Sequence, residues 1–495
     1  MPKQELQLEP QFIKSFFSAM VTNFNESLIP DDSVKIGMNV DFDEELGSAK
    51  GRLGTGIINA QLVNNKPILG LHNFRDSVGA GHKLFAVVSD GTNSDIYDVE
   101  AGTKSLADDT KDLKTRFVTF GDECLRLNGT DAEKAWNGAA WITTAGVFDL
   151  GNIPGSNKCS IGIEWKSRVY LLGDTAEPDR LYYSSVISGG AVSWTSGNGN
   201  VDIEPEDGGG GLKGIGKVPG YLLIFKERSM TRWNFSSAFP ESLVNIGTPS
   251  HESIVYGAGL VAFFSASSKN ARGFYITDGG RPVPISHDRV KNIKKWIDAI
   301  PVANESDISG FVSDRFFGWS IGDVTVDGTA YTNVVVRWNR ILNQWSVRSY
   351  PTEFKFFSSY VDGSGNNAIV GGDDDGNVIE IDKGGIYDDY PSNTPITWQI
   401  SSQEEDFGFN EIKEVRENIV ASTRNAIGAK IRVKVNGGDW IVFNKEIKDD
   451  ITEIKLDKTL RGNYFEFGLV GNQKGARATI KQIELPNVFV LPTYS

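Results

Sequence analysis

The chain has 495 residues, 39% of them hydrophobic, which is enough for more than one core and typical of a globular protein. Its 54 glycines and 11% aromatic residues, against 4 methionines, favour short strands and tight turns over long helices. The formal charge of −14, with no strongly basic block, weighs against tight nucleic-acid binding by clustered cations, and the 2 cysteines, Cys124 and Cys159, weigh against a disulfide framework or a four-ligand zinc site.

The opening "MPKQELQLEPQF" has no apolar run of signal type, and no later run approaches the roughly eighteen residues of a membrane-spanning helix. In the polar arm of residues 1–35, Phe12, Phe16, Met20 and Phe24 recur at helical spacing. The arm is expected to pack on the body of the protein or on a neighbouring molecule. Next comes "GRLGTGIINAQL", which is expected to supply a strand that pairs with the last of the repeats described below.

Residues 36–391 carry a recurring unit: an apolar run, a polar Gly/Asp/Asn turn, and a second run with an aromatic residue. Its copies are "KLFAVVSDGTNSDIYDVEAG", "DECLRLNGTDAEKAWNG", "SRVYLLGDTAEPDRLYYSS", "GYLLIFKERSMTRWNFSS", "GLVAFFSASSKNARGFYITDGG", "RFFGWSIGDVTVDGTAYTNVVVRWNR" and "NNAIVGGDDDGNVIEID". Each reads as a hairpin, and its second run carries Tyr97, Trp136, Tyr182, Trp233, Tyr275, Trp338 or, weakened, Ile379. Hairpins that begin roughly 40 to 55 residues apart leave room for one or two further strands each, the length of a four-stranded propeller blade. The predicted architecture is an all-β, six- or seven-bladed β-propeller, with a β-sandwich as its structural rival.

Within this region "EDGGGGLKGIGKVPG" imitates a phosphate-binding loop. Gly209, Gly211 and Gly214 fit G-x-G-x-x-G, and Gly211 to Lys217 fill the first seven places of a P-loop. Val218 stands where the magnesium-binding hydroxyl belongs, and "YLLIF" follows as a strand where a helix is required. The stretch is expected to be a loop joining a strand near "VDIEP" to "YLLIF" as the innermost strand of the next blade. Further on, "SHDRVKNIKKWIDAIP" places Val290, Ile293, Ile297 and Ile300 at helical spacing, predicting one helix packed over a blade edge, or at a subunit contact. From residue 392, after the hinge "DDYPSNTP", strongly alternating strands predict a separate C-terminal β-sandwich over 392–495.

No catalytic, cofactor-binding or metal-ligating residue is assigned. His72, His82, His251 and His287 lie in unrelated turns, and His251-Glu252 begins a zinc-protease pattern whose second histidine position is Val255. "GGDDDGNVIEID" lacks calcium-loop spacing, since Val378 occupies the sharp-turn glycine position counted from Asp373, and it reads as a hairpin turn at Asp375-Gly376. Asn128-Gly129 and Asp278-Gly279 give the same turn signal. Trp141 and Trp194, in loop-rich surroundings, are candidates either for stacking on sugars or for lining blade interfaces.

Four segments, in order, resemble a family of tail proteins of tailed bacteriophages. They are "NFNESLIPDDSVKIGMNVDFDEELGSAKGRLGT", "GGGGLKGIGKVPGYLLIFKERSMTRW", "ESIVYGAGLVAFFSASSKNARGFYITDGGRPVPIS" and "PITWQISSQEEDFGFNEIKEVRENIV". The resemblance implies a propeller protein of the virion, assembled in the host bacterial cytoplasm. It would form a homo-hexameric ring, the nozzle or hub at the distal end of a short tail, joined to the portal or adaptor and other tail proteins. The genome would pass through without specific binding, and an acidic lumen repels phosphate. The family carries no catalytic residues. Two other functions are weighed beside it: a carbohydrate-binding host-recognition protein, and an enzyme that degrades surface polysaccharide.

Overall fold

The computed structural model describes residues 5–491 except 15–18, 23–32, 43–47, 78–81, 111, 155–158, 205–209, 236–238, 288–291, 362–364, 392–393, 410, 457 and 474. The chain is all-β, as expected. Among the described residues, seven four-stranded antiparallel strand sets follow one another along the chain; the first five are built from consecutive strands alone, the sixth continues into a larger mixed sheet, and the seventh takes its fourth strand from the N-terminal region.

Sheet one comprises Ile68–Phe74, Lys83–Ser89, Asn93–Asp98 and Thr103–Thr110; sheet two, Arg116–Phe120, Glu123–Leu127, Lys134–Trp136 and Trp141–Ile142. Sheet three comprises Ile161–Trp165, Arg168–Leu172, Arg180–Tyr183 and Gly199–Asp202; sheet four, Gly214–Val218, Tyr221–Phe225, Met230–Trp233 and Glu241–Val244. Sheet five comprises Val255–Gly257, Leu260–Ser265, Gly273–Thr277 and Val283–Pro284; sheet six, Ser309–Val312, Phe316–Val326, Thr329–Asn339 and Gln344–Ser349. Sheet seven has Phe356–Val361, Asn367–Gly372 and Val378–Lys383, and its fourth strand is Gly54–Ile57 from the N-terminal region. The pairing expected of "GRLGTGIINAQL" with the last repeat is therefore present.

Each sequence repeat supplies the second and third strands of one sheet, and the recurring aromatic, or Ile379, always falls on the third. Alternation explains why. With a side-chain period of two, the large residue at this place faces a neighbouring sheet. Apolar clusters lie between successive sheets: Phe85 and Val87 with Cys124 and Trp136, then Val118 and Leu125 with Leu171 and Tyr182, then Tyr170 and Leu172 with Leu222 and Trp233. The series continues through Leu223 with Phe263, and Phe311 with Ile379, to Phe356 and Val370 with Leu84 and Ala86, which brings sheet seven against sheet one. The first strands of the sheets touch in the same cyclic order.

Such close approach needs small residues on the first strands. A Cβ at Gly162 would lie 2.7 Å from Val118 Cγ2 and 2.8 Å from Leu127 Cδ1. One at Gly214 would lie 2.3 Å from Ile254 Cδ1. The glycine-rich stretch therefore serves sheet packing, and its role differs from the expectation in one respect. Its "GIGKV" is itself the first strand of sheet four, and "YLLIF" is the second. Residues 206–209 of that stretch lie outside the described residues.

Three further expectations need correction. First, the phenylalanine spacing in the arm is not helical, since Gln11–Lys14 is a strand paired with Thr479–Leu485, and Ala19–Met20 pairs in parallel with Ser33–Met38. A spacing of four residues returns to the same face of a strand as well as of a helix, so the pattern fitted both. Phe16 and Phe24 lie outside the described residues. Second, the predicted helix is short, Lys294–Asp298, with Ile293, Trp296, Ile297 and Ile300 buried against sheets five and six; Val290 lies outside the described residues. Third, the C-terminal strands are not separate. Ser33–Met38 lies between Gln344–Ser349 of sheet six and Thr394–Ser402, so one sheet runs from sheet six through Phe465–Gln473 and Lys430–Val435 to Ile441–Glu446. Asp450–Lys455, Asn418–Arg424 and Thr479–Leu485 form part of a second sheet with Ala49–Gly51 and Val40–Asp41, and the buried residues of both sheets share one core. The arm thus joins the two regions because its backbone groups are paired on both sides.

Candidate functional site

The residues singled out in the sequence do not converge. His72 Nε2 bonds Thr119 Oγ1 at 2.7 Å and its ring stacks on Phe117. His251 is buried near sheet five, and burial pushes both His72 and His251 down to about 4. His82 contacts Asn73 and Glu100, and His287 contacts Ser286. Among the described residues no three His, Cys, Asp or Glu side chains are grouped to hold a metal ion. Asp373 accepts from the backbone N–H groups of Asp375 and Asn377 and from Asn377 Nδ2 at 2.7 to 3.0 Å, so its carboxylate fixes the turn around Gly376. Cys124 and Cys159 are free and buried, and burial raises both thiols.

Both tryptophans considered for sugar stacking are committed to packing. Trp194 is buried with Phe148 and Tyr182 and donates Nε1–H to the Phe148 carbonyl at 2.8 Å. Trp141 donates to Ser105 Oγ at 3.0 Å and lies against Phe85 and Trp136.

Two arrangements of charge were not legible in the sequence. The first spans the interior bounded by the seven first strands. Arg116, on the first strand of sheet two, donates Nε–H to Glu252 Oε1 at 2.7 Å, just ahead of sheet five, and Nη1–H to the Ser160 carbonyl at 3.1 Å. Lys114 beside it pairs with Asp307, just ahead of sheet six, at 3.0 Å. Burial, the largest single influence, opposes ionisation of Glu252, but Arg116 together with His251, Lys114 and a backbone hydrogen bond outweighs it and holds the carboxyl down to about 2.

The second lies between sheets six and seven. Asp41 Oδ1 accepts from Arg337 at 2.8 Å and Arg348 at 2.6 Å, and its Oδ2 accepts from Arg477 at 3.1 Å. Asp382 accepts from Arg337 at 3.1 Å and also from Arg348. Burial raises the Asp41 carboxyl, and the three guanidiniums together hold it well below the usual range. This network borders a cavity of about 1340 Å³ whose mouth carries Arg315 and Arg340. Chain separation explains why sequence reasoning missed it: Asp41 and Arg348 are 307 residues apart, and no local motif links them.

No family model and no curated protein matches the chain. Among solved structures it is similar to the extracellular domain of a putative one component system from B. thetaiotaomicron, with 11% identity, 91% of this chain and 62% of that chain covered, and a TM-score of 0.41. It is also similar to an exo-beta-1,3-galactanase from Phanerochaete chrysosporium, with 11% identity, 86% and 100% covered, and a TM-score of 0.25. At such scores neither likeness carries weight for fold or function.

Proposed function

We propose that the seven strand sets are the blades of one seven-bladed propeller, and that the chain is a structural virion protein, a subunit of a ring forming the nozzle or hub at the end of a short phage tail. Two findings support the propeller: the first strands touch in cyclic order, and a strand from the N-terminal region completes the last sheet, which leaves only short edges exposed. The ordered resemblance of four sequence segments supports the virion role.

The observation that carries the functional reading is the pair Arg116–Glu252, with Lys114–Asp307 beside it. These ion pairs cross the interior of one chain, whereas a DNA duplex has a major groove alone about 12 Å wide. A propeller closed in this way is a solid building block. In this reading the genome's path is enclosed by several copies, and an acidic surplus of 64 side chains over 50 keeps phosphate from adhering to its wall. Mass photometry of the purified chain, alone and with the portal or adaptor ring, tests the proposal. A discrete hexameric assembly is expected; monomers under every condition would overturn it.

A further inference from the structure

We propose that the cavity between sheets six and seven binds a small multivalent anion bearing phosphate or carboxylate groups. The inference rests on local charge and does not depend on ring assembly.

The described lining carries six cations, Arg315, Arg337, Arg340, Arg348, Lys383 and Arg477, against four acids, Asp41, Asp314, Glu380 and Asp382. This local excess is the reverse of the chain's overall charge of −14. At its floor, three guanidiniums share two carboxylates. Arg337 and Arg348, at 8% and 1% side-chain exposure, surround Asp41 and Asp382, and the Nε–H group of each has no hydrogen-bond partner in the described structure. Charge held in a poorly hydrated place attracts a counter-ion more strongly than charge in open water.

The mouth is arranged differently from the floor. Arg340 is held by its own Nε–H and Nη2–H bonds to the Asp314 carbonyl, at 3.1 and 2.9 Å, so that its guanidinium is positioned without being neutralised. Arg315, next to Asp314, is exposed; its carbonyl accepts from the Arg340 backbone N–H at 3.0 Å, while its side chain makes no ion pair or hydrogen bond among the described residues. A fixed and a free guanidinium next to each other suit a ligand with several oxygens, because arginine recognises phosphate and carboxylate through paired N–H donors. The Phe316 ring below carries the Arg337 guanidinium on its face at 3.7 Å, which supplies an apolar wall. At about 1340 Å³ the space admits a molecule of nucleotide or disaccharide size. The acidic remainder of the surface repels a long polyanion and leaves a compact one free to enter.

Isothermal titration calorimetry of the full chain at low salt tests this with pyrophosphate, citrate and a single-stranded oligonucleotide as probes. Saturable single-site binding of pyrophosphate or citrate is expected, weakened about tenfold or more in Arg315→Ala/Arg340→Ala. Tighter pyrophosphate identifies phosphate ligands, and tighter citrate identifies carboxylates. Arg315→Ala alone, on an exposed turn, serves as the second variant should the double substitution unfold, and it too is expected to weaken binding. The proposal is overturned if neither small anion binds, if binding is the same in the folded variants, or if the oligonucleotide binds more tightly than both.

Discussion

Arg116 and Glu252, 136 residues apart in sequence, meet at 2.7 Å across the interior ringed by the first strands, at 18% and 10% side-chain exposure. Removing one partner leaves the other partly buried and uncompensated, so Glu252→Ala is expected to destabilise the fold by about 3 kcal/mol, and replacing both by leucine by less. A double-mutant cycle by urea unfolding checks this. Additivity within about 0.5 kcal/mol would show that the two side chains do not interact. The sign with pH follows from the depressed carboxyl: the contribution is complete above about 4.5 and is lost as pH falls towards about 2.

Arg52 ties the N-terminal segment to the body. Its side chain is fully buried, donates to Asn39 Oδ1 at 3.0 Å, to the Ser349 carbonyl at 2.9 Å and to Asp389 Oδ1 at 2.8 Å, and lies over the Tyr350 ring. Arg52→Met keeps most of the volume and strands Asp389, which is expected to cost about 3–5 kcal/mol. Differential scanning calorimetry gives the loss. An unchanged transition would mean that the segment is held by its strand pairing alone.

How far the sequence carries the structure depends on the range of the interaction. The hairpins were legible because both strands and their turn are local, and the third-strand residue recurs from Tyr97 to Ile379. The turn at Asp375-Gly376 was legible for the same reason: Gly376 adopts φ +82°, the left-handed region that favours glycine. By contrast, the insertion of Ser33–Met38 between Gln344–Ser349 and Thr394–Ser402 joins segments that no local pattern connects. Alternation marks a strand but does not name its partner. The charge networks were hidden for a further reason. Arg116 and Arg348 stand in ordinary strand sequence, and only the fold removes them from water.

Gly162 is expected to tolerate no side chain. The first strand of sheet three presses it against Val118, Leu127 and Leu171, all within 2.9 Å of where a Cβ would sit. These neighbours are branched side chains in a packed interface, so Gly162→Ala must shift sheets two and three apart, at about 1–3 kcal/mol. Gly138→Ala provides the comparison. It has open space around it, and its φ of +92° confines any cost to backbone strain. Equal melting temperatures for Gly162→Ala and wild type would refute tight sheet contact at this point.

Two opposing titrations shape the pH dependence near neutrality. His72 and His251 are held down to about 4 by burial, so the unfolded chain binds protons that the folded chain refuses; their contribution is complete above about 6.5 and is lost as pH falls through about 4. Glu133 acts in the other direction. Burial pushes its carboxyl up to about 7, so its cost to the fold is largest above that value and disappears as pH falls through 4.5. Over the interval they share the two trends partly cancel, two histidines against one carboxyl, and wild-type stability should fall from about pH 7 to 5 about half as steeply as it would without Glu133. Variants separate them. Glu133→Gln removes the buried charge and is expected to raise the unfolding free energy at pH 8 by up to about 3 kcal/mol, with little change at pH 5. In that variant the histidines act unopposed, and stability should fall steeply as pH drops from 6.5 to 4. Urea unfolding of wild type and Glu133→Gln across this range measures both slopes, and parallel curves would show that Glu133 does not titrate near neutrality.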